Sequence, residues 1–329
     1  MKRIAAIFLC VAMMTGVFSG CAGVNSAEQE QTVPATTGFT EQTEATEQTL
    51  PPETEPLTAL DNDFRIALIA RDSFDQTGMD LVAGAMKAAE ELGCEVVDLS
   101  PAMRDDGQQT EQITKAVAEG FDAIVVAAMD SDVVNAELKA AMDAGVKVVC
   151  VDAAADMEAD ALVCTDDKAA GKTAGETLLA ALEQNGITDG PVGVIAVNGD
   201  TEFSVQREAG FREAFADKAY TLLETQYSEG DAAKAYAIAE GYLEQDVVGI
   251  FGCSEGCMTG AANAVEEAGG ETVVVGFGEA WLEEESVSAV LVKDHSAMGH
   301  TGVYTACTLL HGREPGDEIM DVGILVLTQ

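Results

Sequence analysis

Positive charge is scarce in this chain. Its 329 residues carry 17 Lys and Arg against 58 Asp and Glu, a net charge of −41. Sequence-independent nucleic-acid binding needs clustered cations to displace counterions, so nucleic acid is excluded as a partner. Histidine is as rare, three in all. That argues against a His-rich metal centre, and neither a metal nor another cofactor is expected. The sequence lacks a GxSxG elbow, a P-loop, an HExxH helix and a strand-linked GxGxxG, so no common catalytic or nucleotide motif marks an enzyme. Carboxylate pairs do occur, but a chain this acidic supplies them by chance. No apolar run is long enough to span a bilayer comfortably. Against these absences stands a hydrophobic content of 47%. It marks the bulk of the chain as globular, with length enough for two domains and a substantial core.

The N-terminus is the one basic spot. Lys2 and Arg3 precede an apolar run from Ile4 to Val17, followed by Phe18, Ser19, Gly20 and Cys21. This order reads as a signal peptide over residues 1–20. The small-small-Cys ending resembles a bacterial lipobox, with Phe18 where Leu is usual. That resemblance implies lipidation at Cys21 and a protein held on the extracytoplasmic face of the cell membrane. Each buried CH₂ of an acyl chain contributes ~0.8 kcal/mol to such anchoring. Residues 22–60 contain no Lys or Arg and are rich in Thr, Glu, Gln and Pro. Low hydrophobicity and like charge predict a disordered tether over 21–61, reaching about 35 Å by random-coil scaling. Six further cysteines follow, at 94, 150, 164, 253, 257 and 307. Export permits disulfides among them, and their mostly apolar surroundings equally suit small buried hydrophobes.

From residue 64 onward, apolar runs alternate with helical periodicity. Residues 64–70, 94–100, 121–128, 146–152 and 161–167 read as strands, with amphipathic segments between the first four and another following the last. The rhythm repeats with strands at 191–197, the AYTLLETQY run, VVGIFGC, 271–277, 287–293 and the final VGILVLT. Continuous β-branched runs are expected where helices cover both faces of a parallel sheet. The fold class is therefore α/β: two doubly wound parallel-sheet lobes, with a (β/α)₈ barrel as the alternative. In such sheets ligands lie beyond the C-terminal strand ends. Those ends carry Arg71 to Asp75, Asp152, Asn198 to Phe203, Ser254-Glu255, Gly278-Glu279 and Lys293.

Several segments together resemble the ribose-type periplasmic (type I) solute-binding proteins of ABC transporters. They are AELKAAMDAGVKVVCVD ending at Asp152, SVQREAGFREAF with Arg207 before Gly210-Phe211, the VVGIFGCSEGCMTGAANAVEEAG segment, and ETVVVGFG. The resemblance covers residues 63–329 and implies a three-segment hinge, with crossings near Thr165-Asp166, Lys293-Asp294 and 316–321. Lobe I is then 62–165 plus 294–318, and lobe II is 166–293 plus 319–329. The sugar-contact pattern of the family is largely replaced. Thr77 and Gly78 stand where two aromatics are common, Ala153 where Arg follows the strand-ending Asp, and Val205 where a second Arg grips sugar. Gly278 replaces an Asp, Ser254 an Asn, Lys293 a Gln, and Asp75 stands where Asn is frequent.

The candidate ligand-binding set is Arg71, Phe74, Asp75, Asp152, Phe203, Ser254, Glu255, Glu279, Trp281 and Lys293. Arg71 and Lys293 suit an anionic group; the acids suit hydroxyls or an amine, and the sequence leaves both open. Asp152 has a plainer reading as the residue that turns the chain after its strand, and Arg207 reads as a structural contact. The resemblance implies a monomeric lipoprotein that captures a small polar, sugar-like solute and delivers it to an ABC permease. A sensor presenting solute to a membrane receptor shares the same clamshell. A nucleoside-binding lipoprotein is also open, since DSFDQTGMD faintly resembles that group's Asp-x-Ser-Phe stretch. A transcription regulator with the same lobes would need a basic helix-turn-helix where this chain has a leader and an acidic tether.

Overall fold

Alternate residues of each central strand face opposite layers of helix, which is why the strands read as unbroken apolar runs. The computed structural model describes residues 55–129, 131–153, 158–269, 271–278, 286–316 and 319–328. The first sheet is built by β1 (Arg65–Ile69), β2 (Glu95–Asp98), β3 (Ala123–Val126), β4 (Lys147–Val151) and β5 (Ala161–Cys164). Between them run α1 (Gln76–Leu92), α2 (Asp106–Ala118) and α3 (Ser131–Asp143). The second sheet holds β6 (Gly190–Ala196), β7 (Tyr220–Leu222), β8 (Gln226–Tyr227), β9 (Gly249–Gly252), β10 (Val273–Phe277) and β11 (Val287–Lys293). Its helices are α4 (Asp167–Gln184), α5 (Glu202–Ala214), α6 (Ala232–Leu243) and α7 (Glu255–Ala268). The chain then forms α8 (His295–Leu310), β12 (Ile319–Asp321) and β13 (Ile324–Thr328).

Strand order is β12-β5-β4-β3-β1-β2 in one sheet and β13-β11-β10-β9-β6-β7 in the other, with β8 also on β6. In β1, Ile66 and Leu68 join the core under α1 and α8, while Ala67 and Ile69 join the core under α2 and α3. The second sheet is sandwiched the same way by α4 and α5 on one face and α6 and α7 on the other. Three features differ from the sequence expectation. β13 pairs antiparallel with β11, closing an otherwise parallel sheet. The AYTLLETQY run splits into β7 and β8 where the Tyr242 hydroxyl sits between Val194 O at 2.9 Å and Glu224 O at 2.7 Å, its one proton shared by the two acceptors. Residues 319–321, assigned from sequence to lobe II, pair with β5 and so extend the first sheet.

The chain passes between sheets after Cys164, after Lys293 and after Asp321. Two of these passages are bonded to each other. Val322 N donates to Cys164 O at 3.0 Å, Thr165 Oγ1 to Gly323 O at 3.1 Å, and Asp166 N to Asp321 Oδ1 at 3.0 Å. At the opposite, N-terminal edge of the first sheet, Asn62 fastens the incoming chain. Its Nδ2 donates to Leu57 O (2.9 Å) and Leu92 O (2.8 Å), and His311 Nε2 donates to its Oδ1 at 2.7 Å.

Helices that share a face approach closely through glycine. A Cβ on Gly84 would overlap the Ser296 carbonyl, and one on Gly299 the Leu81 carbonyl, locking α1 to α8. Gly241 in α6 faces open space. Gly299→Ala is therefore expected to lower stability by about 1–3 kcal/mol, read as a lower urea midpoint at constant m. Gly241→Ala should raise it by up to about 1 kcal/mol through helix propensity alone. A neutral Gly299→Ala would show that the helix contact relaxes freely.

Candidate functional site

Each sheet has one place where strand order reverses, and both places carry polar loops. In the first sheet β1 is flanked by β2 and β3, so the crevice opens beyond the ends of β1 and β3. Arg71 follows β1, and its Nε donates to Ala128 O beyond β3 at 3.1 Å. Gln109, wholly buried, braces the same spot. Its Nε2 donates to Ala70 O (3.2 Å) and Ala127 O (3.0 Å), and its Oε1 accepts from Met129 N at 3.0 Å.

Asp152 ends the next strand over. Its backbone is left-handed at φ 68°, a conformation that costs a non-glycine residue about 1 kcal/mol or more and gathers at functional positions. Its side chain is only 6% exposed. Arg71 Nη1 lies 2.6 Å from one carboxylate oxygen and Lys293 Nζ 2.8 Å from the other. Arg71 and Asp152 belong to the first sheet and Lys293 ends β11 of the second, so the triad joins the two lobes at the cleft. Burial pushes the Asp152 carboxyl up; the charges of Lys293 and Arg71, with a smaller share from His295, more than offset it and hold the group below the usual carboxylate range.

The loop after β1 is tied internally. Asp72 Oδ1 accepts from Phe74 N (3.0 Å) and Asp75 N (2.8 Å), while its Oδ2 lies 3.2 Å from Arg104 Nε. Asp75 caps α1, accepting from Gly78 N (2.7 Å) and Thr77 Oγ1 (2.8 Å), and meets Arg104 Nη2 at 2.9 Å. A Cβ at Gly78 would overlap the Asp72 carbonyl. The loop path thus forbids a side chain where sugar-binding relatives were expected to place an aromatic. Phe74 is left at the tip, 82% exposed. Arg71, Arg104, Asp105, Asp106, Gly107 and Met129 line an open cavity of about 620 Å³.

On the second sheet the reversal lies between β6 and β9. Ser254 caps α7, accepting from Cys257 N at 3.4 Å, and Glu255 next to it is exposed. Phe203 is half-buried, with the Arg207 guanidinium 4.9 Å from its ring centroid. Arg207 is buried: it bonds Asp167 at 2.7 Å and Cys253 O at 3.0 Å, and stacks on Phe277 at 3.7 Å. It braces the lobe from within. Val205, where a sugar-gripping Arg was expected, is exposed. Glu279, Trp281 and Cys21 lie outside the described residues. Among the described residues no group of three or more His, Cys, Asp or Glu is placed to hold a metal ion.

The sequence reading found Arg71, Asp152 and Lys293, which the structure brings together. It missed Arg104 and Gln109. Arg104 carried a usable signal, as one of few cations in the chain, just before the Asp105 cap of α2.

Residues 66–314 match the model of the periplasmic binding protein domain. The chain belongs to that family. The ribose import binding protein RbsB of Bacillus subtilis is 24% identical over 260 residues, 77% of this chain and 83% of the relative. The D-ribose/D-allose-binding protein of Pseudomonas aeruginosa is 26% identical over 273 residues, 77% of this chain and 84% of the relative. Among solved structures, the arabinose-binding protein AraP of Geobacillus stearothermophilus superposes with a TM-score of 0.71 at 22% identity, covering 81% of this chain and 97% of that one. Members of this family are extracytoplasmic solute-binding proteins, and the two-sheet architecture described above is theirs.

The Asp75 carboxyl has a readable pH signature. Burial raises it, but the Gly78 amide, Arg104 and the Thr77 hydroxyl together draw it from 3.8 down to about 2. A depressed acid stabilises the fold above its unfolded pKa and loses that contribution as pH falls through the folded one. Asp75→Ala should lower the melting temperature at pH 7, with the gap to the native chain closing between about pH 4 and pH 2. A gap constant across that window would remove Asp75 ionisation from the fold's stability.

Proposed function

We propose that this protein captures one small sugar per chain between its lobes, leaves it chemically unaltered and hands it to an ABC permease. The observation that carries the reading is the Arg71–Asp152–Lys293 triad, a strained and buried acid held between cations from both sheets at their facing strand ends. Closure about the three passages would exclude water from these groups and strengthen each polar contact to a bound hydroxyl. Among the described residues Arg71 and Lys293 keep unused N–H donors, and Phe74 offers an apolar ring face of the kind that packs on sugar C–H groups. Phe203, Ser254, Glu255, Glu279 and Trp281 are proposed to complete the second wall, with Asp75 holding the first loop in place. The relatives named for ribose, allose and arabinose support a pentose or hexose as the ligand class.

The test is a thermal and calorimetric titration with pentoses, hexoses, inositols, nucleosides and amino acids. A sugar at 100 times its Kd should add about 2.7 kcal/mol of stability. Asp152→Ala should abolish that gain while the chain still melts cooperatively. A response to nucleosides or amino acids alone, or recovery of a chemically changed sugar, would overturn the proposal.

The same reading makes the protein a monomer tethered through diacylglyceryl-Cys21, supported by the basic start, the apolar run and the Ser19-Gly20-Cys21 ending. Cys21→Ala is expected to move the protein from the membrane fraction to the medium and to end fatty-acid labelling. Labelling that survives the substitution would place the lipid elsewhere.

A further inference from the structure

Helices α1 and α8 lie side by side although most of the fold separates them in sequence. Two sets of contacts fix their register. Glu91 Oε2 lies 2.9 Å from His300 Nε2 and accepts the Tyr304 hydroxyl at 2.9 Å. Farther along, Asn62 bridges Leu92 O to the His311 ring. Cys307 falls between Tyr304 and His311 on α8, and Cys94 lies two residues beyond Leu92, just past the end of α1. Cys94 packs against the core cluster that contains Cys307, and the two thiols lie close enough to shift each other's acidity.

We propose that Cys94 and Cys307 form a disulfide bond in the exported protein, clasping the two chain segments that make the first lobe. Cys94 is half-buried and Cys307 fully buried. The neighbouring Cys307 draws the Cys94 thiol down, and the same contact together with burial pushes Cys307 up. Cys94 is therefore the attacking thiolate. It displaces one thiolate from the disulfide of an oxidant, oxidised glutathione in the test tube or a thiol–disulfide oxidoreductase outside the cell. Cys307 then gives up its proton and attacks the Cys94 sulfur of the mixed disulfide, releasing the second thiolate. Two electrons and two protons leave the protein, and the oxidant's disulfide becomes two thiols. The closed loop contains the entire second sheet except β13, and long loops constrain the unfolded chain most in the chain-entropy account.

A second thiol pair, Cys253 and Cys257, is different in kind. Hydroxyls of Ser204, Ser228 and Ser254 lie 3.4, 3.2 and 3.1 Å from their sulfurs, and a bond there would close a loop of a few residues only.

The test equilibrates the full-length chain with glutathione at set ratios, blocks thiols under denaturing conditions and maps peptides by mass. The expected result is a Cys94–Cys307 cross-linked peptide from a chain about 2 Da lighter per bond. Its melting point should exceed that of the reduced chain by on the order of 10 °C. Cys94→Ala should remove both the cross-link and the response to reductant. If that variant fails to fold, Cys307→Ala answers the same question, and the peptide map of the native chain stands without either. Alkylation of both residues in fully oxidised buffer, or Cys94 linked to another cysteine, overturns the proposal. Both readouts are independent of whether the protein binds sugar.

Discussion

Burying a carboxylate costs several kcal/mol unless opposite charges reach it. At Asp152 they arrive from two directions, Arg71 from the first sheet and Lys293 from the second. Much of the cleft follows from that requirement. The left-handed turn at Asp152 aims the carboxylate inward. Gln109 and the Ala128 carbonyl fix the base of Arg71, so that its guanidinium meets the acid at a set angle. Lys293 closes a strand that leads directly into α8, so its position is coupled to one of the three passages between lobes. A solute that engages any member of the triad therefore acts on both sheets at once.

The first loop shows how a shared fold can change its recognition surface. Where aromatics were expected, Thr77 spends its hydroxyl on the Asp75 cap and Gly78 sits against the Asp72 carbonyl. Arg104 then satisfies both Asp72 and Asp75. Of the acids that sequence alone offered as hydrogen-bond acceptors, Asp75 and Asp152 are thus occupied by the protein. Among the described residues of this loop and the triad, what stays presented is the Phe74 ring and the unused edges of Arg71 and Lys293. This pattern differs from a paired-arginine sugar clamp, in agreement with Val205 and Ala153 at the positions where those arginines were expected.

Strands were legible because both faces of each sheet are buried, so residues such as 123–126 and 273–277 are apolar throughout. The break between β7 and β8 was not legible, since the tyrosine hydroxyl that sits there comes from α6, elsewhere in the fold. β12 is three residues long and carries an Asp, too little pattern to register as a strand. In the site, the strand-end rule picked out Arg71, Asp152 and Lys293, because topology places such residues at the crevice whatever their chemistry. Their mutual pairing was hidden: with 58 acids and 17 bases, sequence gives no means of matching partners. Arg104 and Gln109 were missed for the related reason that their roles come from helix α2 lying across the ends of β1 and β3.

The fastening at Asn62 has a mechanical meaning. Incoming chain is lashed to Leu92 and His311 at the N-terminal edge of the first sheet, whereas the triad sits beyond the C-terminal edge. Arg313 adds a grip on the Glu55 carbonyl. A tug on the leading segment is therefore taken up by the far pole of one lobe and never has to cross the mouth between them. The Arg71–Asp152–Lys293 contact is thereby spared that load.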